Sequence, residues 1–202
     1  MKVLWTFLVI TLLSPWLWLI IKSPRMLLLD PASLYKISLP SRISEINTLR
    51  GEASSAGVGS LGRLVVNKAT WAARDALSRI LSTFDPHYLL LEGDADITRS
   101  TGKTGPVFLT LAPLVMWSFW HRGRKQRTGL AVLILAAVAG AAVFEPYYFL
   151  PARLGFFVIY NWLAAEGMVR AKWSTIYLAV VVFEVARFAH DFWLHYPYRT
   201  SL

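Results

Sequence analysis

Apolar residues fall into five runs along the chain: Val3 to Ile21, Thr104 to Trp120, Gly129 to Phe144, Leu154 to Met168 and Trp173 to about His190. The first is about as long as a bilayer core requires, with Lys2 before it and Lys22 and Arg25 after it. A cleaved signal peptide is the competing reading. The run is long for an h-region, and the residues that follow, KSPRMLLLD, contain no A-x-A site, which favours an uncleaved anchor. Pro15 predicts a kink within it. The second run, 17 residues long, sits at the lower limit for crossing and ends on Trp117 and Trp120, as an interfacial end does. The third carries AAVAGAAVF, a small-residue stretch that lets helices approach closely. The fourth is short and contains Asn161 and Glu166. The pattern predicts an all-α, polytopic integral membrane protein with about five transmembrane helices, or four if 154–168 is re-entrant.

Residues 22–103 lack a long apolar run and mix eleven Lys/Arg with eight Asp/Glu. Within them, Leu64 to Phe84 has helical periodicity. Ala73, Leu77, Ile80, Leu81 and Phe84 share one face, and Lys68, Arg74, Asp75, Ser78 and Arg79 lie largely elsewhere. Such a helix either rests on a membrane surface or packs on its own domain. Pro40, Ser41 and Glu45 mark another short helix, and Gly51 to Gly62 reads as a flexible loop. The chain divides into a transmembrane anchor (1–21), an extracytoplasmic helical and loop region (22–103) and a membrane bundle of three to four spans (104–202).

Composition sharpens this picture. Hydrophobic residues make up 55% of the 202 and charged residues 16%, with a mean hydropathy of +0.46. A soluble domain carries about 25% charge, so a soluble globule and disorder are both disfavoured. Nine Trp, eight Tyr and eleven Phe supply interfacial anchors. The absence of Cys excludes a disulfide scaffold, a thiolate metal site, an iron–sulfur cluster and a cysteine nucleophile. The net charge is +9. In so apolar a chain, anionic lipid head groups are a simpler partner for it than nucleic acid. HRGRKQR, after the second run, has four Lys/Arg and no acid in seven residues, which the positive-inside rule makes cytoplasmic. With five spans, Lys2, HRGRKQR and RAK (170–172) all fall inside, the amino terminus with them, and 22–103 lies outside.

Three groups of residues carry candidate chemistry. The polar loop within 84–105 holds Glu92, Asp94 and Asp96, followed by Arg99 and Lys103. It can bind a divalent cation through its carboxylates or a lipid-linked phosphate through Arg99 and Lys103, or simply pair its charges internally. The loop fits no EF-hand, and GKTG lacks the P-loop frame. In the last run, Glu184, Arg187 and Asp191 stand at i,i+3 and i,i+4 and share a face, which predicts an intramembrane ion pair. Glu184 lies eleven residues beyond Trp173, roughly 17 Å along a helix and near mid-bilayer, where a charge must face the bundle or a wet cavity. The alternative is a proton or substrate path. The four histidines form no obvious haem pair; His87, His190 and His195 fall together at the outer surface as weak candidates for a metal. No hydrolase elbow, HExxH or dinucleotide fingerprint occurs. These residues supply no catalytic group and call for no cofactor.

A family resemblance enters here. Phe84, Pro86, Leu89, Leu90, Gly93, Asp94, Arg99, Ser100 and Gly105, followed by Leu111-Ala112-Pro113-Leu114, resemble the later membrane half of GT-C class bacterial membrane glycosyltransferases, the dolichyl-phosphate-mannose protein mannosyltransferase-like and aminoarabinose-transferase-like enzymes. EPYYFLPARLG is similar to the family's short loop with an Arg, here Arg153. FAHDFWLHYP, with Phe188, His190, Asp191, Phe192, His195, Tyr196 and Pro197, resembles the aromatic-His-aromatic-HYP ending, and RISEINTLRGE (42–52) resembles a periplasmic loop. The resemblance covers roughly residues 40–202. It implies a bacterial inner membrane and a polyprenyl-phosphate lipid bound through Arg99, Lys103 or Arg153. The chain departs from the family where catalysis resides: Asp30 is the only acid near the first run's end, no Asp-Glu pair occurs, and the many amino-terminal spans are missing.

Function is therefore expected to be that of a non-catalytic membrane subunit docking with other membrane protein subunits and lipids. The alternative is a part of a polyprenyl-phosphate-sugar glycosyltransferase whose catalytic acid comes from another chain. A small channel or transporter using Glu184 and Arg187 ranks last, because five short spans leave little room for a pore. The topology predicts that a cysteine at position 50 is labelled by an impermeant maleimide from outside and one at position 124 only from inside; the opposite pattern would invert it.

Overall fold

The structure is a computed structural model that describes residues 1–22, 40–55, 66–93, 101–140, 153–171 and 175–195. Among them every regular element is helical and there is no strand. In chain order the α-helices are α1 (Lys2–Leu13), α2 (Pro15–Lys22), α3 (Pro40–Ser55), α4 (Lys68–Ser82), α5 (Ala112–Trp120), α6 (Arg124–Ala139), α7 (Leu154–Arg170) and α8 (Thr175–His190). A π-turn follows α4 (His87–Leu91), a 3-10 turn precedes α5 (Leu109–Leu111) and a second π-turn continues α8 (Asp191–His195).

Among the described residues no single helix is long and apolar enough to cross a membrane; α1 and α2 pass that test only together, bent by 52°. The break has a local cause. A residue before proline is pushed out of the helical region, and Ser14 is extended, with ψ 131°. The freed polar groups are satisfied nearby: the Trp18 indole donates to the Leu12 carbonyl at 2.8 Å, and the Ser14 hydroxyl to that of Ile10 at 2.9 Å.

α7 is the centre of the bundle. Phe156, Phe157, Tyr160, Leu163, Ala164 and Ala165 are all buried on it, while Val158, Trp162 and Val169 leave one exposed stripe. It is one unbroken helix of 17 residues. It packs chiefly against α5 and α1, with α6 beside it. Trp16 stacks on Phe157, centroids 6.2 Å apart. Small residues set the closest approaches. A Cβ on Gly167 would lie 2.3 Å from the Leu114 carbonyl oxygen of α5, and one on Gly155 would lie 3.2 Å from Ala137 of α6, within the expected small-residue stretch.

One reading of the polar region changes: α3 runs through Gly51 to Ser55, where a loop is expected, and 56–62 lie outside the described residues. α4 starts at Lys68 behind an Asn67 cap, whose side chain accepts the N–H of Ala69 and Thr70. Its apolar stripe is split: Ile80 is half-buried against the core and Phe84 meets Phe156 edge-on at 5.6 Å, while Leu77 and Leu81 are exposed and Arg79 is buried, held to Asp75 at 2.8 Å. A pair with both charges present and hydrogen bonds made can go inside where a lone cation cannot.

The glycines give opposite tests in one bundle. Gly167→Ala should cost about 1–3 kcal/mol, since backbone must move. Gly129→Ala, in α6 with nothing near its missing Cβ, should stabilise by about 0.5–1 kcal/mol. Denaturant unfolding in detergent reads both; equal effects would contradict the packing of α5 on α7.

Candidate functional site

Four buried or half-buried polar groups tie the helices together. Glu184, on α8, reaches the amino end of the 3-10 turn, where N–H groups point out unsatisfied. One carboxylate oxygen accepts the Leu109 N–H at 2.7 Å; the other accepts the Thr110 N–H at 2.9 Å and the Thr110 hydroxyl. The Tyr177 hydroxyl donates to the Thr110 carbonyl, and that of Tyr160 to Phe108 at 3.2 Å. A carboxylate at a helix start is favoured by both the hydrogen bonds and the local dipole.

Arg153 begins α7 and is buried. Its guanidinium donates to the Thr83 hydroxyl at 2.9 Å, the Ser82 hydroxyl at 2.9 Å and the Arg79 carbonyl at 3.1 Å, and it lies 5.3 Å from the centre of the Tyr88 ring. It caps the carboxyl end of α4, where a cation also meets the favourable end of the dipole.

Glu166, near the other end of α7, accepts from the Ser118 hydroxyl at 3.1 Å and pairs with the guanidinium groups of Arg122 and Arg170. Arg122 lies over the Trp162 ring at 4.6 Å. Asn161, between them, donates to the Ser14 hydroxyl at 2.6 Å and so holds the α1–α2 break.

These partners correct two expectations. The intramembrane Glu184–Arg187 pair is replaced by other bonds: Glu184 is used on the 3-10 turn, and Arg187 donates to the Lys103 carbonyl at 2.7 Å. Asp191 is buried and faces Lys103, with Nζ at 3.7 Å, and His190 at 3.9 Å. Arg153, implied as a phosphate ligand, is instead a helix cap without an exposed head. Of the polar loop, Glu92 is exposed and meets His87 at 3.3 Å; Asp94, Asp96 and Arg99 lie outside the described residues. Lys103 is carried on a tight turn, with Gly102 in the left-handed region at φ 66° and Thr101 accepting the Thr104 N–H at 3.2 Å. The three histidines do not converge: His87 stays with Glu92, while the rings of His190 and His195 are 5.0 Å apart.

Sequence reasoning missed the Glu166 cluster and the Asn161–Ser14 bond. The i,i+4 spacing of Glu166 and Arg170 was a usable signal; Arg122, supplied from the basic run, was not. The described residues also form a half-open apolar groove of about 350 Å³ between α1, α7 and α8, lined by Trp5, Val9, Leu13, Leu111, Val181 and Val185 among others.

Glu184→Ala should cost about 1–3 kcal/mol by stranding two backbone donors. Adding Arg187→Ala should bring no recovery; recovery in the double variant, read by the same unfolding measurement, would restore the ion pair. No protein-family model, curated protein or solved structure matches this chain.

Proposed function

We propose that the chain is a non-catalytic integral membrane subunit that docks in and stabilises a larger membrane protein assembly. One observation carries this reading: several helices put large apolar side chains outward while several polar ones are buried. Leu4, Trp5 and Leu12 of α1, Val132 and Leu135 of α6, and Ile176, Val182 and Phe183 of α8 are exposed, whereas Ser14, Arg153, Asn161 and Glu166 are buried. Water would reverse that distribution, while lipid or a partner's apolar helices would favour it. The helices are short for a span, but adjoining segments and local thinning of a bilayer accommodate short spans. The exposed Leu77 and Leu81 of α4 suit a helix lying at the membrane surface. The absence of catalysis in this reading rests on the half-buried Glu184 and the buried Glu166 and Arg153, each already engaged in holding helices together.

The polyprenyl-phosphate-sugar reading, with the catalytic acid on another chain, keeps one supporting residue. Lys103 is 46% exposed on its turn, and its ammonium can meet a lipid-linked phosphate.

Gentle detergent extraction from the native membrane, followed by mass identification, tests the proposal. A fixed-stoichiometry complex with other membrane proteins is expected. A lone chain, or one carrying only a polyprenyl-phosphate lipid, would overturn the subunit reading. The latter result would make Lys103 and Arg99 the residues to change.

A further inference from the structure

We infer that His190, Asp191 and His195 form a binding site for a divalent transition-metal ion of the zinc class. The side-chain ligand atoms of all three lie within 4.8 Å of one another. The backbone explains why. In an α-helix, residues five apart point well away from each other, at roughly 140°. A π-turn closes its ring between residues five apart instead, and α8 changes to π-helix at Asp191–His195. His195 is thereby brought back over His190. The earlier π-turn behaves in the same way: the Glu92 N–H bonds to the His87 carbonyl at 2.9 Å, and the side chains of this i,i+5 pair meet at 3.3 Å.

The donor set selects the ion. Two imidazoles and one carboxylate suit Zn²⁺, Ni²⁺ or Cu²⁺, whereas Ca²⁺ and Mg²⁺ take oxygen ligands in larger number. Asp191 is buried and fixes one ligand; His190 and His195 are exposed, so their rings are free to rotate and the outer side stays open for water. Ligand atoms in a tetrahedral zinc site stand about 3.3 Å apart, given bonds of about 2.0 Å. Closing from 4.8 Å needs side-chain rotation only. Among the described residues, Lys103 places an opposing charge at the carboxylate, 3.7 Å from Asp191 and half exposed. Its flexible stem can swing into solvent as the ion enters. Arg187 bonds to the Lys103 backbone carbonyl, so it holds the turn and not the amine.

The site uses none of the groups that carry the subunit reading, and it can be tested separately. The full chain, purified without a histidine tag and stripped with a chelator, is titrated with Zn²⁺ by calorimetry. One ion per chain is expected. His190→Gln and His195→Gln should each weaken binding at least tenfold, and His87→Gln should leave it unchanged. The Cu²⁺-loaded chain should show the nitrogen superhyperfine splitting of two imidazoles in its EPR spectrum. No saturable uptake, or uptake unaffected by the two variants, would overturn the site. If those variants do not fold, Lys103→Met decides: removal of the competing ammonium should tighten Zn²⁺ binding several-fold, and unchanged affinity would overturn the proposal.

Discussion

A helix that carries polar side chains into a core must find a partner for each of them, and α7 with its Arg153 cap meets this constraint at three heights. Arg153 closes the end of α4, Asn161 holds the Ser14 break between α1 and α2, and Glu166 gathers Ser118 and Arg122 from α5 and the turn that follows it. Glu166 stands thirteen positions beyond Arg153, roughly 20 Å along the helix. The apolar contacts between these bonds are non-directional; the polar bonds fix rotation and register. That is the service a buried polar group renders when fully satisfied, at the cost of severe loss if one partner is removed.

The same logic assigns the other charges. Glu184 at the 3-10 turn lets the chain pass from Phe108 and Leu109 into α5 without leaving the Leu109 and Thr110 N–H groups bare. Gly105 lies so near Leu89 that a Cβ would stand 2.1 Å from its carbonyl oxygen, and Val107 donates to that carbonyl at 3.2 Å. The first π-turn is thus tied to the segment leading into α5. A scaffold emerges in which charges serve as joints, which suits a protein whose outward faces are apolar.

Much of the helical layout was legible in the sequence, because periodicity and proline act locally. The break at Pro15, the apolar run over 154–168 and the small residues of α6 all follow from neighbours within a turn or two. The joints were not legible. Glu184 and Leu109 are 75 residues apart, and Arg153 and Thr83 are 70 apart. The i,i+3 spacing of Glu184 and Arg187 pointed to a pair, but backbone donors on another element won both carboxylate oxygens. The sequence left the packing face of α4 open for a related reason: Arg79 brings its own acid, Asp75, and can be buried with it, while Leu77 and Leu81 face outward. His190 and His195 stand five apart, a spacing that places them together only when the backbone is π-helical.

The account depends on the outward faces of α6 and α8 lying in an apolar medium and on the polar joints lying inside. Because the chain has no Cys, single nitroxide labels can be placed without background. The most direct measurement is EPR collision accessibility in reconstituted vesicles, with labels at Val132, Phe183 and, for contrast, the exposed Lys125. The account predicts that labels at Val132 and Phe183 collide with oxygen but not with a water-soluble nickel chelate, while the label at Lys125 collides with the chelate. Strong collision with the chelate at Val132 and Phe183 would contradict it.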